Sequence, residues 1–268
     1  SLLTSRLYSI AVKVVDLIRR GPYREDERYE RFESDDQAIC VGYANDLEAT
    51  NHLPPALWLA RRISKAFHKL RPKCAAGDAG PDGKVLVRVE SNKKGWKPLH
   101  VCCSISHTEA SDWLRLRTLA ELAVEQACEG LPTPEVSLNR GGMFTIYGPE
   151  GDNGLSGKKL VVDGYGPGVP IGGGAWSGKD LHKVDRVGGL LARQLAKGII
   201  MKGVAQEALV ELEYHPGDLE PSGIRVRLDG KAYQKDIDSL LPNLELRTEK
   251  VAKSFNHCKL GLTSLARW

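Results

Sequence analysis

Between Gly148 and Asp185 glycine recurs too often for a helix or strand of ordinary length, taking eleven of the 38 positions. Glycine inside an element loses the most conformational freedom on folding and offers no side chain to pack. This stretch must therefore be mostly loop, held by a frame built from the rest of the chain. Its residues, GPEGDNGLSGKKLVVDGYGPGVPIGGGAWSGKDLHKVD, include Lys158, Lys159, Lys179 and Lys183, and also Asp152, Asp163, Asp180 and Asp185. Backbone N–H groups in glycine-rich turns can converge on phosphate oxygens. Lysines supply point charge to phosphates, and carboxylates hold hard divalent cations that phosphates share. Together they point to a polyphosphate bound with a divalent metal. Solvated loops with incidental charges are the plainer reading of either half alone, and two halves in tandem weaken it.

The frame is read from periodicity. Leu7, Ile10, Val14, Val15 and Ile18 predict an amphipathic helix over 4–19. Lys13 and Asp16 interrupt that apolar run, so neither a signal peptide nor a membrane span is expected. The charge-dense segment Arg24–Asp36 reads as a solvated connector. Pro54-Pro55 opens a second helix, with Leu59, Ile63, Phe67 and Leu70 facing inward. Lys73–Gly83 reads as a loop, and Val85, Val87 and Val89 alternate as a strand does. Leu99–Ile105 predicts another strand. Asp112–Glu129 predicts a helix whose buried side holds Leu116, Leu119, Ala123, Val124 and Ala127. Short strands are expected at Phe144–Tyr147 and Leu160–Val162, a helix at Val184–Met201, strands at Leu209–Tyr214 and Ile224–Leu228, and a helix at Ala232–Leu241. The mixed order, without βαβ alternation, predicts an α+β fold.

Composition narrows the function classes. A chain of 268 residues suggests two domains at roughly 150 residues each. A net charge of +4 is too small for a general nucleic-acid footprint, so no nucleic-acid partner is expected. The six cysteines show no C-x-x-C spacing, and reduced thiols in a cytoplasmic protein are the expectation. His107 and His215 adjoin predicted strand ends, where satisfied structural histidines are commoner than catalytic ones. Gly173–Lys179, GGAWSGK, fits G-x-x-x-x-G-K, but Asp180 stands where Ser or Thr should hold the metal. GYGPGVPIGG before it is also too broken to be the required strand, so a P-loop hydrolase fits poorly.

GPEGDNGLSGKKLVVDGYG followed by GGGAWSGKDLHKVDR resembles the signature of S-adenosylmethionine synthetases. DDQAICVGYANDLEATNHLPP (Asp35–Pro55) and GPDGKVLVRVE (Gly80–Glu90) resemble two further segments of that family, giving coverage of roughly 35–230. The resemblance implies synthesis of S-adenosylmethionine from ATP and L-methionine, with release of pyrophosphate and phosphate. It also implies Mg²⁺ as cofactor and K⁺ as activator. By position it implies that Lys84, Lys159 and Lys179 grip the phosphates as catalytic groups, with Lys158 and Lys183 nearby and Asp185 on Mg²⁺. Asp82 would contact the nucleotide and Phe144 would stack on the adenine. Asp36 and Asp152 would help hold methionine and ribose, and Lys183 would also serve methionine. The implied architecture is three related sheet-and-helix domains around a pseudo-threefold axis. Here they are expected as a remnant over 1–32, a central domain over 33–147 and a C-terminal domain over 148–268. A homodimer or dimer of dimers with shared active sites is implied too.

Several positions depart from the family pattern. The family's N-terminal Gly-His-Pro-Asp-Lys element is not in these 268 residues, and His215-Pro216-Gly217-Asp218 reads as a chance likeness. Lys158 and Met143 stand where arginines are usual; Asp35 and Ala38 replace two glycines, and Pro170-Ile171 replaces an Arg-His pair. Three explanations are open: ordered segments of a longer active enzyme, a nucleotide-binding or regulatory relative without turnover, and a partner of a separate chain that carries the element. Joint retention of Asp82, Lys84, Asp152, Lys159, Lys179, Lys183 and Asp185 argues against the second. Arg20–Ser34 is a candidate lid.

Overall fold

The computed structural model describes residues 33–92, 95–151 and 157–257. The expected helix over 4–19, the 1–32 remnant, nearly all of the lid candidate, Asp152 and Cys258 lie outside the described residues. The described chain packs as two units that are not consecutive in sequence: 55–151, and 33–54 together with 157–257.

In the first unit, helix α1 (Pro55–Cys74) and helix α2 (Trp113–Ala127) pack against strands β2 (Ala79–Asn92), β3 (Gly95–His107) and β4 (Glu135–Leu138). Pro55 opens α1 at a position where its missing N–H costs nothing. Leu59 and Ile63 are fully buried, and Phe67 and Leu70 pack partly buried beside them. Asp112 caps α2 by accepting from the N–H groups of Leu114 at 2.8 Å and Arg115 at 3.2 Å. The five apolar positions expected to be buried on α2 are all buried. β3 lies antiparallel to β2 and parallel to β4.

The predicted loop at Lys73–Gly83 ends sooner than expected, because β2 begins at Ala79. The register slips between Ala79 and Gly83, and Pro81 and Asp82 sit in that irregularity, the place in a sheet where proline is tolerated. Ser106 closes the gap: its Oγ accepts the Asp82 N–H at 3.0 Å and donates to the Asp82 carbonyl at 2.8 Å.

In the second unit, strands β1 (Ala38–Asn45), β5 (Glu207–Tyr214), β6 (Gly223–Leu228) and β7 (Lys231–Ala232) form one sheet in the order β1-β5-β6-β7. All the pairings are antiparallel. Helix α4 (Val184–Met201) covers one face, and α5 (Thr248–His257) packs beside it. Gly42 lets α4 approach closely, since a Cβ there would lie 2.0 Å from the Ala192 carbonyl carbon. The glycine-rich loop meets the free edge of β1, where the Gly173 N–H donates to the Ile39 carbonyl at 3.2 Å. Tyr165 packs between Tyr43 and Trp176, with ring centroids 5.8 and 5.9 Å away.

Three expected elements differ. Phe144–Tyr147 is not a strand. Its one backbone bond to β3, from the His107 N–H to the Phe144 carbonyl at 3.0 Å, is answered by a ring nitrogen, because His107 Nε2 accepts the Phe144 N–H. A side chain in the place of a carbonyl ends the ladder. Leu160–Asp163 is one helical turn, α3, with Gly164 N–H bonded to the Leu160 carbonyl instead of to a partner strand. Ala232–Leu241 is not a helix. Tyr233 N–H continues the sheet to the Val226 carbonyl, and only a short turn at Ile237–Ser239 follows, capped by Asp236.

Candidate functional site

Within the second unit, two loops and the start of α4 bring charged residues together. The turn at 157–164 packs on the loop at 164–178: a Cβ on Gly157 would strike Ala175, and one on Gly174 would strike the Asp185 carboxylate. Asp185 lies in the first turn of α4, where a negative charge complements the helix dipole. Lys179 Nζ donates to Asp185 Oδ2, and Lys183 Nζ donates to Asp35 Oδ2. The Lys183 bond holds the Asp35 carboxyl below the usual carboxylate range, and the same bond raises the Lys183 ammonium. The charge of Lys179 also reaches Asp35, and those of Asp180 and Asp185 reach Lys183. Lys179, Lys183 and Asp185 are thus gathered in one cluster. Lys158 and Lys159 are exposed on the adjoining turn. Asp36 is exposed, and its Oδ1 accepts the Gln37 N–H at 2.8 Å.

Buried arginines support this arrangement from below. Arg186 Nη1 donates to the Trp176 carbonyl at 2.9 Å, fixing the glycine-rich loop to α4. Arg193 donates to the carbonyls of Tyr43, Asn51 and His52. Sequence reasoning missed both, although the predicted helix places them seven residues apart, on one face with its apolar residues.

The remaining candidates lie in the first unit. Asp82 Oδ2 accepts the Gly148 N–H at 2.6 Å, so this carboxylate anchors the start of the GPEGD loop. Lys84 is exposed on β2 opposite Ser104. Phe144 is half-buried, and its backbone is fixed by His107, which is itself buried, as expected of a structural histidine. His215 is instead largely exposed. Asp82→Ala should free the Gly148 amide at a cost of about 1.5–3 kcal/mol, the usual value for a bond to a charged acceptor. Amide hydrogen exchange at Gly148 should rise roughly tenfold; unchanged exchange would show that the loop is held by other contacts.

The remaining chemistry is limited. Among the described residues no three His, Cys, Asp or Glu side chains are placed to hold a metal. Mg²⁺ commonly keeps its waters and takes one or two carboxylates plus substrate phosphates. Asp185, partly exposed beside a glycine, fits that kind of donor set. All five described cysteines are free thiols, and burial pushes Cys40 and Cys103 up to about 12, which makes them inert. No described helix is long and apolar enough to cross a membrane.

The comparisons with known proteins agree with this α+β frame. The S-adenosylmethionine synthetase central-domain model matches residues 31–140, and the C-terminal-domain model matches residues 146–266. The chain belongs to the S-adenosylmethionine synthetase family. An S-adenosylmethionine synthase of Thermus thermophilus is 35% identical over 215 residues, covering 77% of this chain and 54% of the relative. One from Leifsonia xyli is 31% identical over 258 residues, covering 92% of this chain and 64% of the relative. The structure of an unusual S-adenosylmethionine synthetase from Campylobacter jejuni aligns with a TM-score of 0.75 at 27% identity, over 87% of this chain and 65% of that one. The chain spans about half to two thirds of the length of these relatives.

Proposed function

We propose that this chain takes part in the synthesis of S-adenosylmethionine from ATP and L-methionine, with tripolyphosphate as the leaving group, then cleaved to pyrophosphate and phosphate. The observation that carries this reading is the gathering of Lys179, Lys183 and Asp185 at the start of α4, beside the turn bearing Lys158 and Lys159. A highly charged leaving group is favoured by fixed positive charge and by positioning, without covalent help from the protein. Lys179 and Lys159 hold phosphate oxygens, Lys183 adds charge at the edge, and backbone N–H groups of the glycine loops complete the cup. Asp185 holds Mg²⁺, which when bound neutralises charge on the phosphates. Lys84, Asp82 and Phe144 serve the nucleotide, and Asp36 and Asp152 serve methionine. K⁺ activation, a cytoplasmic setting, and a homodimer or dimer of dimers belong to the same reading.

A second reading, a nucleotide-binding or regulatory relative without turnover, is favoured by Lys158 and Met143, where the resemblance would place arginines. An ammonium does not reproduce the planar fork of a guanidinium. The two readings part in one assay. The full-length protein with ATP, L-methionine, Mg²⁺ and K⁺ should yield S-adenosylmethionine, pyrophosphate and phosphate. ATP binding without these products would select the second reading, and no ATP binding would dismiss both.

A further inference from the structure

Asp35 is a carboxylate paired with Lys183, one of the lysines read above as lying on the phosphate side. Its partner Lys183 is held at the N-terminal end of α4 by bonds from the Arg186 and Val187 N–H groups to its carbonyl, at 2.9 and 3.0 Å. Asp35 is held just as firmly through its neighbour. Ser34 is buried; its N–H donates to the Asp218 carbonyl at 2.8 Å, and its own carbonyl accepts the Gly217 N–H at 2.7 Å. The turn at His215–Asp218 therefore has a task of its own, which is to clamp the residue before Asp35. Both side chains of the Asp35–Lys183 pair are 49% exposed, so the pair sits at the surface and can open. Around it, Lys179 and Lys183 face Asp35, Asp180 and Asp185, so the cluster carries more carboxylates than ammonium groups.

We propose that Asp35 is an internal competitor that occupies Lys183 until a polyphosphate displaces it, and thereby sets the affinity of the cup. This rests on the reading of Lys183 as a phosphate-side residue. An incoming phosphate takes the lysine from the carboxylate and must also tolerate that carboxylate nearby. The family resemblance would place glycine at this position. Asp35 makes binding weaker and release easier, a role distinct from holding substrate.

The probe is inorganic tripolyphosphate with Mg²⁺, titrated calorimetrically into the full chain. Asp35→Asn keeps the shape and removes the charge, and should tighten binding roughly fivefold, the upper range for an exposed ion pair. Asp35→Glu keeps the charge and should bind about as the parent does. Lys183→Ala should weaken binding about tenfold, as loss of a charged hydrogen bond does. In the Lys183→Ala background most of the gain from Asp35→Asn should vanish. If Lys183→Ala weakens binding but Asp35→Asn leaves it unchanged or weaker, the competitor role is overturned and the site reading stands. If Lys183→Ala binds as the parent does, the placement of Lys183 fails and the inference with it.

Discussion

Lys179→Ala is expected to lower turnover about a thousandfold, the upper range for removing one donor from a site of developing charge. The ammonium lies on the glycine-rich loop and donates to Asp185, a bond that fixes its position. A leaving tripolyphosphate gains charge as the bond to carbon breaks, and a fixed cation favours that state over bound ATP. The fold should lose little. Lys179 and Asp185 side chains are 35% and 22% exposed, and a pair so placed contributes about 1 kcal/mol or less. The check is an initial-rate assay beside a thermal melt. Retained turnover would remove Lys179 from the chemistry, and collapse of the melt would make it structural. Lys179→Arg should not restore the rate fully, since a planar guanidinium differs in shape and reach.

Gly42→Ala should disrupt the second unit. The new methyl would lie 2.0 Å from the Ala192 carbonyl carbon and oxygen and 2.3 Å from the Arg193 nitrogen, all of them backbone atoms that no rotamer change can move aside. α4 would have to lift from β1 along a contact that includes Cys40, Ala44, Val187 and Leu191. Overpacking of this kind costs about 3 kcal/mol or more, which corresponds to a fall in melting temperature of roughly 10 °C. Lifting α4 also moves Asp185 and the Arg186 contact with Trp176, so tripolyphosphate affinity should fall with stability. Calorimetric melting tests this directly, and a wild-type melting temperature would show that the close approach is not needed.

Local signals in the sequence were sufficient for the long helices. Val184–Met201 has the predicted ends because its apolar repeat is strong and the glycine-rich loop stops just before it. The α1 opening at Pro55 and the Asp112 cap are short-range chemistry, readable from a few neighbouring residues. The charge-rich glycine stretch likewise marked where Lys179, Lys183 and Asp185 gather. β1 carried no such sign: it alternates poorly, and its pairing partner β5 lies far along the chain. Phe144–Tyr147 and Leu160–Val162 looked like strands because their residues favour strands. A strand needs a partner edge, and neither segment has one.

By itself the sequence determined the helix faces, the glycine-rich loops and the family, since each depends on residue type within a few positions or on a long contiguous signature. Only the tertiary structure decided which charges meet. Lys183 and Asp35 are 148 positions apart, and they pair because β1 docks on β5 while α4 packs across β1. Coulomb energy depends on separation in space, and that separation is set by packing that no local pattern encodes.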